Sequence, residues 1–256
     1  MTNMLASVMT VAEAKVALDL DADIIDLKNP REGALGALPL STIREIVAVL
    51  GGRVTVSATI GDVPYEPAQI AHKVLATAET GVDIVKIGID PNRSDKKLSR
   101  EMTGLLKAHS TNISVCLIAV LFSDDILPLD WVDKLAESGF QGVMLDTADK
   151  RGGSLRTRHR DTDLKYFVEY AHSLNLLCGI AGSLQIEDIV PLLVMSPDYL
   201  GFRGALCRGT DRTAQLDIDA FRSVRSCIPR SRGSHTFTQS IGSVGSGEIF
   251  LSKNLT

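Results

Sequence analysis

Two lysines stand at the carboxyl ends of apolar, strand-like segments. Lys28 follows Ile24-Ile25-Asp26-Leu27, and Lys86 lies within Val82-Asp83-Ile84-Val85-Lys86-Ile87-Gly88-Ile89. Side chains alternate between the two faces of a strand, so Asp26, Lys28 and Lys86 fall on one set of faces and their apolar neighbours on the other. In a closed barrel whose outer surface carries helices, the charged set points into the mouth, where such folds keep their chemistry.

A carboxylate and a third amine join this pattern. Asp146 is an inward position of the segment Val143 to Thr147, and Lys150 follows in the adjoining loop. Inward side chains of alternate strands share a layer in an eight-stranded barrel, so Lys28, Lys86 and Asp146 are predicted to meet at one level. Crowding and desolvation lower the pKa of an amine from about 10.4 and make its neutral form accessible. Such an amine can form a Schiff base with a carbonyl, whereas a single lysine at a strand end is usually solvated.

A second set of residues is typical of phosphate binding. Ala181-Gly182-Ser183 ends the seventh strand candidate, and Gly201-Phe202-Arg203-Gly204-Ala205 ends the eighth. Phosphate often binds at these two positions of a barrel, where glycines let backbone N–H groups approach an anion and a helix after Ser183 adds its dipole. Arg203 is predicted to clamp the phosphate. The alternative is that the glycines form only tight turns.

Polar residues at neighbouring strand ends extend the candidate site. Asp26 is either the ion-pair partner of Lys28 or an internal structural charge. Ser57 and Asp62, in the segment Ser57 to Tyr65, bring a hydroxyl and a carboxylate to the same rim. The loop from Asn29 to Ala37 has a length and composition that suit a cover over a substrate. Ordinary surface turns are the alternative for both loops.

The elements that must position these residues alternate in units of strand and helix. The strand candidates are Leu5 to Val8, Ile24 to Lys28, Val54 to Ile60, Ile84 to Ile89, Ser114 to Val120, Val143 to Thr147, Leu177 to Ala181 and Tyr199 to Arg203. The helix candidates are Val11 to Leu20, Leu40 to Leu50, Pro67 to Thr80, Lys97 to His109, Leu129 to Ser138, Asp161 to Leu174, Gln185 to Val194 and Asp217 to Cys227. This order predicts a single (β/α)8 TIM barrel. A doubly wound sheet would require a Gly-rich turn after the first strand, and Ser7-Val8-Met9-Thr10 is not one.

Helix ends also carry signals. Ser41 and Asp161 suit N-caps, and Gly51, Gly81 and Gly139 suit the left-handed residue that ends a helix.

Composition bounds the class of protein. The chain has 256 residues, of which 45% are hydrophobic, and a net charge of -4. We expect one catalytic barrel over residues 1–230 and a flexible Ser/Gly-rich tail over 231–256. The acidic balance predicts neither a nucleic-acid nor a membrane partner.

The widely spaced cysteines and the absence of an export signal indicate a cytoplasmic protein, and the histidines form no metal set. Barrels of this size commonly self-associate, so a homo-oligomer is expected.

Six segments, taken together and in order, carry a family likeness: Asp26 to Gly36, Ser57 to Tyr65, Lys86-Ile87-Gly88, Met144 to Lys150, Ala181-Gly182-Ser183 and Gly201 to Cys207. They resemble the (5-formylfuran-3-yl)methyl phosphate synthases of methanofuran biosynthesis. The likeness runs from about Leu5 to Cys227. It implies condensation of two molecules of glyceraldehyde 3-phosphate, with Lys28 as the Schiff-base lysine, Lys86 and Lys150 assisting, and Asp146 handling protons. No metal or organic cofactor is then required.

Two other functions agree with the same residues. A class I Schiff-base aldolase of the deoxyribose-phosphate type would use a lysine-rich barrel without eliminating phosphate. A phosphate-binding barrel without catalysis would bind ligand and form no lysine adduct.

Overall fold

Eight parallel strands form a closed barrel in which each strand pairs with its neighbours in sequence, and the last strand pairs with the first. The computed structural model describes residues 1–63, 66–90, 101, 104 and 115–230. The strands are β1 Asn3–Val8, β2 Ile24–Leu27, β3 Thr55–Thr59, β4 Ile84–Ile89, β5 Cys116–Phe122, β6 Gly142–Asp146, β7 Leu177–Ile180 and β8 Tyr199–Phe202. The predicted (β/α)8 barrel is therefore confirmed.

Helices surround the strands. Those described are α1 Val11–Asp19, α2 Leu40–Leu50, α3 Pro67–Ala78, α4 Leu129–Glu137, the short α5 Leu155–Arg158, α6 Asp161–Ser173, α7 Ile186–Val194 and α8 Ile218–Ser226. The helix predicted over 97–109 and the tail over 231–256 lie outside the described residues. None of the helices in the described ranges has the length and apolar composition needed to cross a membrane.

Alternation along the strands creates two apolar cores. Outward residues such as Ile25, Val85 and Leu145 pack against the helices. Inward residues such as Ile84 and Met144 fill the barrel itself. This period of two is the pattern on which the inward placement of the charged residues was predicted.

The helix ends agree with the sequence signals only at the C-terminal side. Gly51, Gly81 and Gly139 all have positive φ, at 60°, 90° and 88°. The predicted N-caps are wrong, because α2 begins at Leu40, before Ser41, and α6 begins at Asp161 itself. The carboxylate of Asp161 instead accepts two hydrogen bonds from the Arg156 guanidinium.

One buried ion pair ties α1 to the end of β8. The Arg203 guanidinium donates to both carboxylate oxygens of Glu13, at 2.8 and 3.1 Å. It also donates to the backbone carbonyls of Ser7, Arg212 and Ala214. The five N–H donors of the side chain are all used in this way. Arg203 therefore fixes the loop after β8 to β1 and α1.

Replacing Glu13 with Gln should destabilise the fold, because Arg203 would stay buried without its counter-charge. We expect the free energy of unfolding to fall by about 3 kcal/mol in urea titrations. Glu137→Gln is the matched control, since Glu137 pairs with Lys134 on an exposed surface of α4 and should change nothing measurable. Equal stability of Glu13→Gln and the parent protein would contradict a structural role for this pair.

Candidate active site

The predicted charged residues meet inside the barrel mouth. Asp26 and Lys86 lie within β2 and β4, Asp146 is the last residue of β6, and Lys28 directly follows β2. All four are buried, although Lys28 keeps 9% of its surface exposed. Lys150 follows β6 and is partly buried. Three ammonium groups and two carboxylates thus share the centre of the mouth.

Asp26 is the partner of Lys86. The Lys86 Nζ lies 2.6 Å from Asp26 Oδ1. The hydroxyls of Ser57 and Ser7 donate to the two oxygens of the same carboxylate, at 2.7 and 2.9 Å. Burial alone would raise the pKa of Asp26, but the lysine charges and the donated hydrogen bonds outweigh it and hold that pKa below its usual range. Asp26 is therefore ionised and bonded to Lys86. Of the two interpretations of its role, the geometry favours the internal structural charge over the ion-pair partner of Lys28.

Asp146 forms the second pair. Its Oδ1 accepts hydrogen bonds from Lys150 Nζ and from the backbone N–H of Thr147. Burial tends to raise the pKa of Asp146, whereas Lys150, Lys28 and these hydrogen bonds lower it, and the net shift is downward. Asp146 is therefore ionised and bonded to Lys150, whose side chain extends into the cluster from the loop after β6.

Lys28 has no such partner among the described residues, where no carboxylate oxygen lies within 4.0 Å of its Nζ. Burial lowers the pKa of Lys28 to about 8. The charges of Asp146 and Asp26 act against this shift, and the neighbouring Lys86 and Lys150 add to it. Each aspartate is bonded to another lysine, so no direct ion pair within the described residues offsets the burial of the Lys28 amine.

The loop after Lys28 folds back over the barrel. The N–H of Asn29 donates to the Gly36 carbonyl at 2.7 Å, and the Thr59 hydroxyl donates to the Leu35 carbonyl at 2.9 Å. The Leu35 side chain enters the inner core, where Gly88 leaves room for it: a Cβ on Gly88 would lie 2.6 Å from Leu35 Cδ1. The loop is thereby anchored to β3 and to the apolar interior of the barrel.

Asp62 lies outside the cluster. Its side chain is exposed at the rim, beside Gly33 of the loop after β2, where a Cβ on Gly33 would lie 2.8 Å from Asp62 Oδ2.

A network of ion pairs fixes the loop that carries Lys150. The carboxylate of Asp124 accepts hydrogen bonds from the N–H groups of Ala148 and Asp149, at 3.0 and 3.1 Å. Arg158 approaches both Asp124 and Asp149. The basic character of this region is therefore neutralised locally, and the same holds for Arg156 with Asp161 and Arg160 with Asp163.

The loops after β7 and β8 contain backbone N–H groups that are not used in secondary structure. Gly182 and Ser183 have φ of 99° and 51°, a left-handed turn that is unusual for a serine. The N–H groups of Gly182, Ser183 and Gly204 donate no hydrogen bond within the described part of the chain. Successive free N–H groups in such a turn are suited to binding an anion. Arg203, by contrast, has no N–H left for a phosphate in this arrangement, which disfavours its predicted role as a clamp.

Three supporting residues were not predicted. Ser7 holds Asp26, Asp124 holds the Lys150 loop, and Glu13 holds Arg203. Strand alternation could have found Ser7, which is an inward position of β1. No local signal marks Asp124 or Glu13, because their partners are distant in sequence. Within the described ranges no group of three or more His, Cys, Asp or Glu side chains is placed to hold a metal ion.

These features define a (β/α)8-barrel protein with a buried lysine cluster at its mouth. Comparison with known proteins identifies the family within this class. The family model described as 4-HFC-P synthase matches residues 4–225, and the chain belongs to this family. The (5-formylfuran-3-yl)methyl phosphate synthase of Methanosarcina mazei is 38% identical over 83% of this chain and 93% of its own length. A Methylorubrum extorquens protein given the name of the same synthase is 41% identical over 84% of this chain and 86% of its own.

Solved structures of other proteins are similar to this chain in fold only. A 3-hexulose-6-phosphate synthase superposes with a TM-score of 0.60 over 89% of this chain and 100% of its own, at 16% sequence identity. Phosphoribosyl anthranilate isomerase from Thermus thermophilus gives a TM-score of 0.61 over 89% of this chain and 98% of its own, at 12% identity.

Titration of Lys28 should have a midpoint at pH about 8. Nuclear magnetic resonance of protein with 13C-labelled lysine side chains can follow it, and Lys28→Gln identifies the resonance by its loss. In the unfolded chain the pKa of this lysine is about 10.4, so between pH about 8 and pH about 10.4 the unfolded state binds more protons than the folded state. This group therefore makes stability rise with pH across that window. A midpoint above about 10 would show that burial does not favour the neutral amine.

Proposed function

We propose that the protein condenses two molecules of glyceraldehyde 3-phosphate into 4-(hydroxymethyl)-2-furancarboxaldehyde phosphate through a Schiff base on Lys28, in methanofuran-type cofactor biosynthesis. One phosphate and two molecules of water leave. Membership of the family and the synthase names of its curated relatives support the reaction. The observation that carries the mechanism is the buried amine of Lys28, which has the charges of Asp26 and Asp146 nearby but no carboxylate oxygen within 4.0 Å among the described residues.

The low pKa of Lys28 supports its role as the nucleophile. An amine with a pKa of about 8 is about one-tenth neutral at pH 7, which is roughly 250-fold more than an amine at the reference value of about 10.4. Only the neutral amine attacks a carbonyl carbon. Lys86 and Lys150 are held by carboxylates and are better suited to act as cations.

Asp146 and Lys150 are suited to the proton transfers. The amine of Lys28 adds to the first aldehyde, and loss of water gives a protonated imine. This group draws electrons from the adjacent carbon, so that carbon can release its proton to the Asp146 carboxylate, and the resulting enamine expels phosphate from the next carbon. Lys150, bonded to Asp146, can return a proton or stabilise negative charge on oxygen.

The ion pair of Lys86 and Asp26 also affects the charge on Lys28. The ion pair is fully buried, so its charges are only weakly screened by solvent. Lys86 contributes positive charge that disfavours a proton on Lys28. Carbon–carbon bond formation with the second aldehyde, ring closure and loss of water lead to the furan, and hydrolysis of the imine frees Lys28.

Phosphate recognition is assigned to the backbone donors after β7 and β8. The N–H groups of Gly182, Ser183 and Gly204, which find no acceptor in the described ranges, lie at the carboxyl ends of these strands, where barrels commonly bind phosphate. Ser57 and Asp26 position Lys86 and are not expected to contact the substrate, because Asp26 is bonded to both the Ser57 hydroxyl and Lys86.

Borohydride treatment in the presence of glyceraldehyde 3-phosphate should reduce the imine and label Lys28. Peptide mass mapping locates the label. Lys28→Arg should abolish both label and turnover, because a guanidinium stays protonated and forms no imine. Lys165→Arg is the matched control, since Lys165 is exposed on α6.

The outcomes of this labelling separate the candidate functions. Label at Lys86 or Lys150 alone would reassign the nucleophile, and absence of label on protein with bound substrate would contradict Schiff-base chemistry and favour a binding role. A furan absorbs in the ultraviolet and an aldol does not, so labelled protein that makes no ultraviolet-absorbing product would indicate an aldolase.

Asp146→Asn should retain the imine and lose turnover. Furan formation is expected to fall about 100-fold or more, as for removal of a general base. Asp146 raises the pKa of Lys28, so its loss should move borohydride labelling to lower pH rather than prevent it. Asp125→Asn, on an exposed position of the loop after β5, is the control. An unchanged rate of furan formation would remove Asp146 from catalysis.

A further inference from the structure

Arg212 is a cation of the barrel mouth that the mechanism above does not use. It lies on the segment between β8 and α8, and its backbone carbonyl accepts a hydrogen bond from Arg203 Nε at 2.8 Å. Arg203 is in turn held by Glu13 and by the Ser7 carbonyl. The segment that carries Arg212 is therefore anchored, through a buried guanidinium, to the body of the barrel.

The side chain of Arg212 reaches the loop that follows Lys28. Its Nη2 donates to the Gly33 carbonyl at 2.7 Å. Because Gly33 belongs to the loop after β2 and Arg212 to the segment after β8, this contact spans the rim above β1, the strand that separates β8 from β2. The guanidinium is thus placed at the opening of the cluster and not on the outer surface.

The remaining donors of Arg212 have no partner in the described part of the chain. An arginine has five N–H donors, and the hydrogen bond to Gly33 uses one of them. No carboxylate lies within ion-pair distance of Arg212 among the described residues. Burial lowers the pKa of the guanidinium, and the charge of Asp146 is near enough to act in the opposite direction. A partly buried guanidinium with unused, coplanar donors is suited to binding a phosphate in a bidentate manner.

We propose that Arg212 binds the phosphate of the second aldehyde, the one that is not attached to Lys28, at a subsite separate from the N–H groups after β7 and β8. The proposal rests on the proposed function, in which two phosphorylated aldehydes must be held at once. The backbone donors of the inner loops serve the aldehyde attached to Lys28. Arg212, at the opening, serves the molecule that arrives later.

Calorimetric titration with glycerol 3-phosphate tests the subsite without any chemistry, since this compound has no carbonyl and forms no imine. We expect two molecules bound per chain in the parent protein and one in Arg212→Gln. Arg208→Gln is the matched control, because Arg208 is exposed on the same segment and should leave both sites intact. Arg212→Lys keeps a cation that can reach Gly33, so the second site should persist with roughly 10-fold weaker affinity. One site in the parent protein, or two unweakened sites in Arg212→Gln, would overturn the proposal.

The reaction itself provides a second, distinguishable readout. In Arg212→Gln, borohydride labelling of Lys28 should keep its dependence on the concentration of glyceraldehyde 3-phosphate, whereas the KM for furan formation should rise roughly 10- to 100-fold. Loss of labelling and of thermal stability together would mean that Arg212 only supports the loops, and would overturn the proposal. A parent protein that binds two molecules of glycerol 3-phosphate and makes no furan would refute the proposed function and leave the subsite standing.

Discussion

The chemistry of this barrel depends on an unequal sharing of charge: three lysines meet two aspartates, and the aspartates are bonded to Lys86 and Lys150. A buried ammonium is tolerated when a carboxylate faces it closely. Lys28 is left near both carboxylates without a direct contact to either, so desolvation dominates and its pKa falls. Had Asp26 contacted Lys28 instead, the charged form of that amine would be stabilised and its nucleophilicity lost.

The rest of the barrel preserves this arrangement. Ser7 and Ser57, on the two strands that flank β2, donate hydrogen bonds to the carboxylate of Asp26 and fix its orientation toward Lys86. The ion pairs of Asp124 with Arg158 and the backbone hydrogen bonds to Asp124 fix the loop from which Lys150 reaches Asp146. Below this charged layer, inward apolar side chains such as Ile84, Ile118 and Met144 fill the interior of the barrel. Directional hydrogen bonds and apolar packing therefore act together to fix which lysines contact the two carboxylates.

Much of this could be predicted from the sequence, because strand alternation has a fixed period. All eight strands lie within two residues of their predicted bounds, and the inward positions of Lys28, Lys86 and Asp146 follow from that period. The partners could not be predicted in the same way. Whether Asp26 bonds Lys28 or Lys86 depends on stagger between strands and on side-chain direction. The position of Arg203 after β8 predicted a phosphate ligand, but the carboxylate that it contacts, Glu13, is 190 residues away in sequence.

The proposed phosphate-binding positions at the rim agree with the same electrostatics. A phosphate in contact with Lys28 would stabilise the ammonium and oppose the effect of burial on its pKa. Backbone N–H groups after β7 and β8 and the guanidinium of Arg212 bind anions without being proton acceptors themselves. Binding by such groups neutralises the phosphate locally and limits the charge felt by the amine. In the proposed reaction one lysine must stay neutral beside anionic substrates, so phosphate binding at the rim would leave the interior lysines free for the carbonyl chemistry.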